Sequence, residues 1–472
     1  MEHISGVRTK NVSDEPTTFR CERNSTDTNP SRFFQPKFMD DLVILAVIWT
    51  CAVALVNPLG DFPLNDDWSY SIAVERFLTE GNFQPTGWTS MSLLSHVLLG
   101  SVSTHVFGFS FQTLRFSTLV MSLIGINAYY LIIRSLQQPR WLAIFVTLLV
   151  SLNPLFFSLS NTFMTDIPFL TLSIVSMAFF LQHLQTRGIP SYVAAVCLSV
   201  GAILCRQNGL FIPISFGFAY LFGRTLKFPD VTRALLPTIV GVLMLVLFQQ
   251  WMDETARTPS LYGMQIGSIF DVPGNSYGWL LLRAIRSAMI IILYLGAFLF
   301  PLLLLIPLPK IYLGKHQVNW AIVLLAALFL CVPMWYLNSM MPISGNIVTQ
   351  FGIGPFTLAD VELMKLPNLE PLPPLFWVAV SLASVIGGGI LLIRFADSAV
   401  WIFRGIRSRQ FDYISQARMF CGTATLILFG GFCLVHFWDR YLLPFLVLAP
   451  LVWLSTNVVR WTHLSRHKMG QK

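Results

Sequence analysis

The chain has 472 residues, 54% of them hydrophobic and only 11% charged, with a net charge of +8. A soluble protein of this length would divide into two or three domains with charged surfaces, and this composition excludes that class. Apolar runs long enough to cross roughly 30 Å of hydrocarbon recur along nearly the whole chain, so it reads as an all-α polytopic membrane protein.

Residues 1–40 are polar and read as a disordered cytoplasmic tail with no cleavable signal peptide. The first span is therefore expected to act as an uncleaved anchor. Spans are predicted near 41–58, 113–134, 141–158, 167–185, 191–205, 208–222, 234–250, 281–306, 319–340, 374–393, 419–437 and 442–459. The serine-rich run 91–107 is short and contains His96 and His105, and it is read as lying along the surface. With that choice and a cytoplasmic N-terminus, 23 of the 31 Lys and Arg residues fall inside and 8 outside. That asymmetry fits the positive-inside rule, and it makes the positive charge a sign of orientation rather than of a nucleic-acid partner. Twelve spans with both ends cytoplasmic follow, with residues 460–472 as a basic tail.

Three outer segments are long: 59–112, 251–280 and 341–373. Loops of this length are commonly binding loops or lids. The last is rich in Gly and Pro and is not expected to form one regular element. The cysteines show no CxxC spacing or paired loop positions, which argues against disulfides and a thiolate metal site.

The outer segment after the first span opens with "NDDWSYSIAVERFLTEGN", residues 65–82. Its apolar positions Tyr70, Ala73, Val74, Phe77 and Leu78 follow helical spacing, and Gly81-Asn82 is expected to stop the helix. Asp66 and Asp67 then sit in the first turn. One reading is that they cap the helix and complement its dipole. The other is that a carboxylate on the outer surface takes a proton from an incoming hydroxyl or binds a divalent ion. Asp166, in "NTFMTDIPFLTL", is placed on the same face and is the only acidic residue between Glu80 and Asp230. Asp-x-Pro also suits a helix start structurally.

Cations are scarce on that face. Arg206 lies at the hairpin between two predicted spans, Arg283 and Arg286 share a helical face, and Arg440 adjoins Asp439. Each taken singly reads as a residue snorkelling to lipid phosphates; together they suit an anionic leaving group. His96, His105 and His436 lack metal-ligand spacing and read as structural, and no Walker A loop or dinucleotide fingerprint is present. A secondary transporter or lipid-linked sugar flippase using the same carboxylates for ion binding is the competing class. It predicts mid-membrane charge and usually a halves repeat, and neither is evident.

The pattern resembles the GT-C superfamily of membrane glycosyltransferases, nearest the branch of aminoarabinose transferases and protein O-mannosyltransferases (glycosyltransferase family 39, dolichyl-phosphate-mannose mannosyltransferase-like). "DDWSYSIAVERFLTEGN" is similar to the family's acidic pair and juxtamembrane helix, and Thr165-Asp166-Ile167-Pro168 to its TDxP motif. Arg206-Gln207-Asn208-Gly209 and Arg440-Tyr441-Leu442-Leu443-Pro444 match later motifs. The family's Lys-Pro-Pro after the first helix is missing from "NFQPTGWTSMSLLSH".

The resemblance implies a GT-C bundle of about 12 transmembrane helices with juxtamembrane helices in the first outer loop. Residues 41–250 would form the conserved-type module and 251–459 a variable one. It implies inverting transfer of a hexose or pentose from a polyprenyl-phosphate donor to a lipid, glycan or protein, on the periplasmic face of a bacterial cytoplasmic membrane. Asp66, with Asp67, would activate the acceptor, while Asp166 would position it, orient the donor or bind metal. Arg206, Arg440, Arg283 and Arg286 would hold the donor phosphate, and Tyr70, His96 and Tyr441 would line the site. No cofactor is required by the resemblance; a divalent ion held by Asp66 and Asp166 stays open.

Overall fold

The computed structural model describes residues 38–222, 227–262, 267, 277–308, 312–313, 316–317, 319–336, 374–408, 412–435 and 437–454. The two tails and the predicted outer segment 341–373 lie outside them. The described residues are helical but for short turns and a two-residue antiparallel pairing of Tyr312–Leu313 with His316–Gln317.

In chain order the helices are α1 (Met39–Val56), α2 (Asp67–Glu80), α3 (Leu94–Phe107), α4 (Phe111–Ser135), α5 (Arg140–Ser151), α6 (Pro154–Ser160), α7 (Asp166–Thr186) and α8 (Ile189–Cys205). They continue with α9 (Phe211–Phe222), α10 (Phe228–Glu254), α11 (Tyr277–Phe298), α12 (Phe300–Leu305), α13 (Asn319–Tyr336), α14 (Pro374–Ser408) and α15 (Tyr413–Leu434). A last helix, α16, covers 443–454.

Over its described residues, each of the twelve predicted spans falls mainly on helix. Seven helices are long and apolar enough to cross a membrane, or eight if α5 and α6, bent by 63° at their junction, form one span. Helices α3, α8 and α13 are apolar but shorter. The architecture is thus the expected all-helical membrane bundle, while the count of twelve rests on α8, α9, α13 and α16 also crossing. Within 91–107, α3 has 14 residues, which at 1.5 Å per residue is about 21 Å, less than the thickness of the hydrocarbon core.

Helix α7 lies at the centre and is the most deeply buried of the spanning helices, packed between α8 and α4, whereas α1 exposes most of its apolar surface. Where backbones cross closely the sequence supplies glycine. A Cβ on Gly387 would strike the backbone of Gly296, and one on Gly389 would lie 2.7 Å from the Val323 carbonyl. The run "VIGGGILL" in α14 therefore admits α11 and α13 at short range, the small-residue contact that membrane helices favour. At the opposite end from the acidic pair, buried Asp41 of α1 pairs with Arg140 at 2.5 Å and accepts from the Tyr130 hydroxyl, fixing α1 to α4 and α5.

Candidate active site

Helix α2 begins at Asp67 and ends at Gly81, whose φ of +64° makes it the stop that Gly81-Asn82 predicts. Asn65, at φ +56°, turns the chain into the helix; Asn tolerates this left-handed region better than most residues. The residues just before are tied down. Buried Arg115, in the second turn of α4, donates to the carbonyls of Pro58 (2.5 Å), Gly60 (3.3 Å) and Phe62 (3.1 Å). Asp61 accepts the Phe111 N–H at 2.7 Å. The segment leading to the acidic pair is thus stapled to α4.

Asp66 occupies the N-cap position but makes no side-chain cap hydrogen bond, so capping does not account for it. Its Oδ2 instead accepts from Arg440 Nη1 at 3.0 Å. Asp67 points the other way, into the protein, with 1% of its surface exposed. Its Oδ1 accepts the Leu64 N–H at 2.5 Å and its Oδ2 the Phe163 N–H at 3.4 Å. Burial pushes its pKa up to about 6 despite those backbone hydrogen bonds. The expectation that Asp67 joins Asp66 in the chemistry is therefore revised. Its carboxylate is spent on two backbone donors, because consecutive helix residues project about 100° apart.

Asp166 opens α7, where Thr165 is the N-cap and likewise makes no side-chain cap bond. Asp166 Oδ1 pairs with Arg206 Nη1 at 2.6 Å, and the same nitrogen reaches Thr165 Oγ1 at 3.2 Å. Both side chains are buried, and Asp166 Oδ2 has no hydrogen-bond partner in the protein. Arg206 is delivered by the tight α8–α9 hairpin. A Cβ on Gly209 would lie 2.7 Å from the Ile203 nitrogen, so only glycine lets the two strands of this hairpin close.

Tyr441 joins the two ion pairs. The guanidinium carbons of Arg206 and Arg440 each lie 5.9 Å from its ring centroid, within cation–π range. Buried Tyr70 sits in the field of Asp66, Arg440, Arg206 and Asp166, and burial raises its phenol above the usual range, so it stays protonated. Burial opposes charge on Arg440, but Asp166, Tyr70, Tyr441 and Asp66 outweigh it and raise its pKa. Buried His96 stacks on Phe163 at 3.9 Å, and its Nε2 lies 3.2 Å from the Phe163 carbonyl oxygen. Burial lowers its pKa to about 4, which keeps it neutral, with Nε2 carrying the hydrogen because a carbonyl only accepts.

Of the predicted residues, Asp66, Asp166, Arg206, Arg440, Tyr70, His96 and Tyr441 thus meet at one end of the bundle. Arg283 is half-buried and Arg286 exposed on α11, which packs against the turn that carries Arg440; neither belongs to the two ion pairs. His436 lies outside the described residues. Sequence reasoning missed Thr165, Arg115 and the Phe163 backbone.

Beside this cluster an apolar groove of about 310 Å³ runs between α9 and α15. Its upper end is formed by Gln207 and Asn208, its walls by Phe211, Ile214, Leu428 and Phe432. Phe432 stacks on Tyr441 at 4.8 Å, so the groove opens next to the paired arginines. Among the described residues, no three His, Cys, Asp or Glu side chains converge as a metal-ligand set.

Residues 96–252 match the family model for dolichyl-phosphate-mannose-protein mannosyltransferases. The matched segment, about a third of the chain, contains His96, Asp166 and Arg206, and over that segment it supports the resemblance to the GT-C membrane glycosyltransferases. No curated protein matches the sequence. Among solved structures, the chain is similar to ArnT from Cupriavidus metallidurans bound to undecaprenyl phosphate, at 13% identity and a TM-score of 0.40, covering 89% of this chain and 78% of that one. The apo form of the same protein gives 14% identity and a TM-score of 0.36, covering 88% and 77%. The Archaeoglobus fulgidus oligosaccharyltransferase tethered to an acceptor peptide gives 13% identity and a TM-score of 0.32, covering 90% of this chain and 56% of that one.

Proposed function

We propose that this GT-C membrane glycosyltransferase transfers a hexose or pentose from a polyprenyl-phosphate donor to a hydroxyl acceptor, with inversion, at the extracytoplasmic face of a bacterial cytoplasmic membrane. The observation that carries the reading is the meeting of Asp66 and Asp166, each with its own arginine, from four separate parts of the chain. Asp66 is the base: its side chain is 45% exposed, so an acceptor can reach it, whereas Asp166 is buried.

In the reaction the acceptor oxygen attacks the anomeric carbon as Asp66 takes the hydroxyl proton. A new C–O bond forms on one face of the sugar, and the anomeric C–O bond to phosphate breaks on the other. The electron pair of that bond leaves on the phosphate oxygen, where Arg440, with Arg206 beside it across Tyr441, stabilises the charge. Asp166, buried and paired with Arg206, holds that guanidinium in place. The apolar groove between α9 and α15 takes the polyprenyl chain. If a divalent ion takes part, Asp66 and Asp166 are the residues that would hold it, and it would supply positive charge at the leaving phosphate.

The test is sugar release or transfer by the purified protein from a panel of polyprenyl-phosphate hexoses and pentoses, with a membrane lipid and glycan extract as acceptor. Turnover of one donor that is lost in Asp66→Asn and Asp166→Asn is the expected result. Failure to turn over or bind any polyprenyl phosphate, by protein that is folded and monodisperse, overturns it.

A further inference from the structure

The two ion pairs differ in a way that bears on donor binding. Asp166 and Arg206 are both shielded, with side-chain exposures of 5% and 9%. In the other pair Arg440 is 10% exposed, but Asp66 is 45% exposed. The first pair is built in; in the second, the carboxylate half already faces the side from which substrates come. The Arg440 guanidinium is also incompletely used: one nitrogen, Nη1, bonds Asp66, and its buried Nε has no acceptor. A carboxylate oxygen that accepts a guanidinium hydrogen cannot take the acceptor's proton through the same lone pair. As it stands, then, one oxygen of the candidate base is engaged by the residue best placed to bind the leaving group.

We propose that donor phosphate and Asp66 compete for Arg440, so that binding of the lipid-linked donor draws the arginine off Asp66 and frees its Oδ2. The inference rests on the glycosyltransferase reading above and adds a coupling between donor and base to it. Donor binding exchanges one anion for another on Arg440 and leaves both Asp66 oxygens open to the acceptor hydroxyl. The exchange costs little, because Arg440 trades one charge-assisted hydrogen bond for another, and phosphate oxygens add acceptors that a single Asp66 oxygen does not supply. The buried pair Asp166–Arg206 stays closed throughout and holds the second guanidinium at the far side of Tyr441.

Competition makes a prediction opposite to that for an ordinary binding residue: removing the carboxylate of Asp66 tightens phosphate binding while abolishing transfer. The experiment measures equilibrium binding of sugar-free farnesyl phosphate to the purified full-length protein in detergent. Wild type, Asp66→Asn, Arg440→Gln and the double variant are compared, each checked for monodisperse elution. Asp66→Asn is expected to bind about 1.4- to fivefold more tightly than wild type, the range for loss of one partly exposed ion pair. In the Arg440→Gln background the gain should vanish, because the contest is for that arginine. Equal or weaker binding by Asp66→Asn, with wild type binding normally, overturns the competition and leaves the glycosyltransferase reading standing. A gain that persists without Arg440 also overturns it, since it would reflect only the loss of a nearby negative charge. If no variant binds farnesyl phosphate, the donor class itself falls, and the competition with it.

Discussion

Asp67 and His96 grip the two ends of one residue: Asp67 accepts the N–H of Phe163, and His96 Nε2 donates to its carbonyl. Phe163 lies three residues before Asp166, so this clamp sets where α7 begins relative to α2, and hence where Asp166 stands relative to Asp66. The clamp is backed by Gly100 of α3, where a Cβ would lie 2.6 Å from the Phe163 ring.

Asp67 is ionisable in a place that disfavours its charge, and this gives stability a pH signature. Its pKa rises from an ordinary 3.8 to about 6 in the folded protein, so the native state holds the proton more tightly than the unfolded chain does. The stabilising contribution is full below about 4 and is lost as the pH rises through about 6. Thermal unfolding of wild type in detergent should therefore show a fall in Tm across that window that Asp67→Asn lacks. An unchanged slope in Asp67→Asn would place the titration elsewhere.

His96 is expected to act by position, not by proton transfer. With a pKa near 4 it contributes no limb to a pH–rate profile between 5 and 8. His96→Gln, which can still donate to the Phe163 carbonyl, should keep most of the transfer activity, and His96→Ala should lower kcat while leaving the profile's shape unchanged. A lost limb near the ordinary histidine pKa would contradict this.

Asp66→Asn should lower the rate of sugar transfer by about a hundredfold or more, the typical scale for loss of a general base, without lowering protein yield. Rate measurement beside wild type at equal protein decides it. Full activity in Asp66→Asn would remove the base assignment.

Arg206→Ala leaves the Asp166 carboxylate buried and unpaired. Breaking one side of a buried ion pair costs about 3–5 kcal/mol. A lower Tm and poor yield should follow, and Arg206→Ala/Asp166→Asn together should cost less than the sum of the single changes. Additive losses in the unfolding measurements would show that the pair is not coupled.

Gly209→Ala meets backbone rather than side chain, the nearest atom being the Ile203 nitrogen at 2.7 Å. The hairpin must open to admit the methyl, at about 1–3 kcal/mol, and Arg206 moves with it. Reduced Tm together with reduced transfer is expected, and an active, equally stable Gly209→Ala would show that the turn has slack.

The helical architecture was legible because span-length apolar runs admit few alternatives in a membrane, and α2 because its apolar spacing ends at a glycine. Asp66, Asp166 and Arg206 stood out because charge is scarce on that face. What the sequence hid was pairing. It offered Arg206 and Arg440 as phosphate ligands, whereas both already hold carboxylates, a relation that depends on distances between segments 40 and 374 residues apart. Adjacency suggested a shared role for Asp66 and Asp67, but the turn of the helix sends one to the surface and the other inward. Arg115 was invisible for a different reason: its partners are backbone carbonyls, which every residue carries and no pattern marks.

The pairing of Asp66 with Arg440 spans 374 positions of the chain, and synthesis runs in one direction. Asp66 is made before any of the helices α2 to α15, and its arginine after all of them. Every nascent intermediate between the two therefore carries an unmatched carboxylate at the membrane surface, and the site's charges balance only when Arg440 has been delivered. Termination between Arg206 and Arg440 yields a chain that has both Asp166 and Arg206 but no partner for its base, so functional assembly waits for the chain to be made through Arg440.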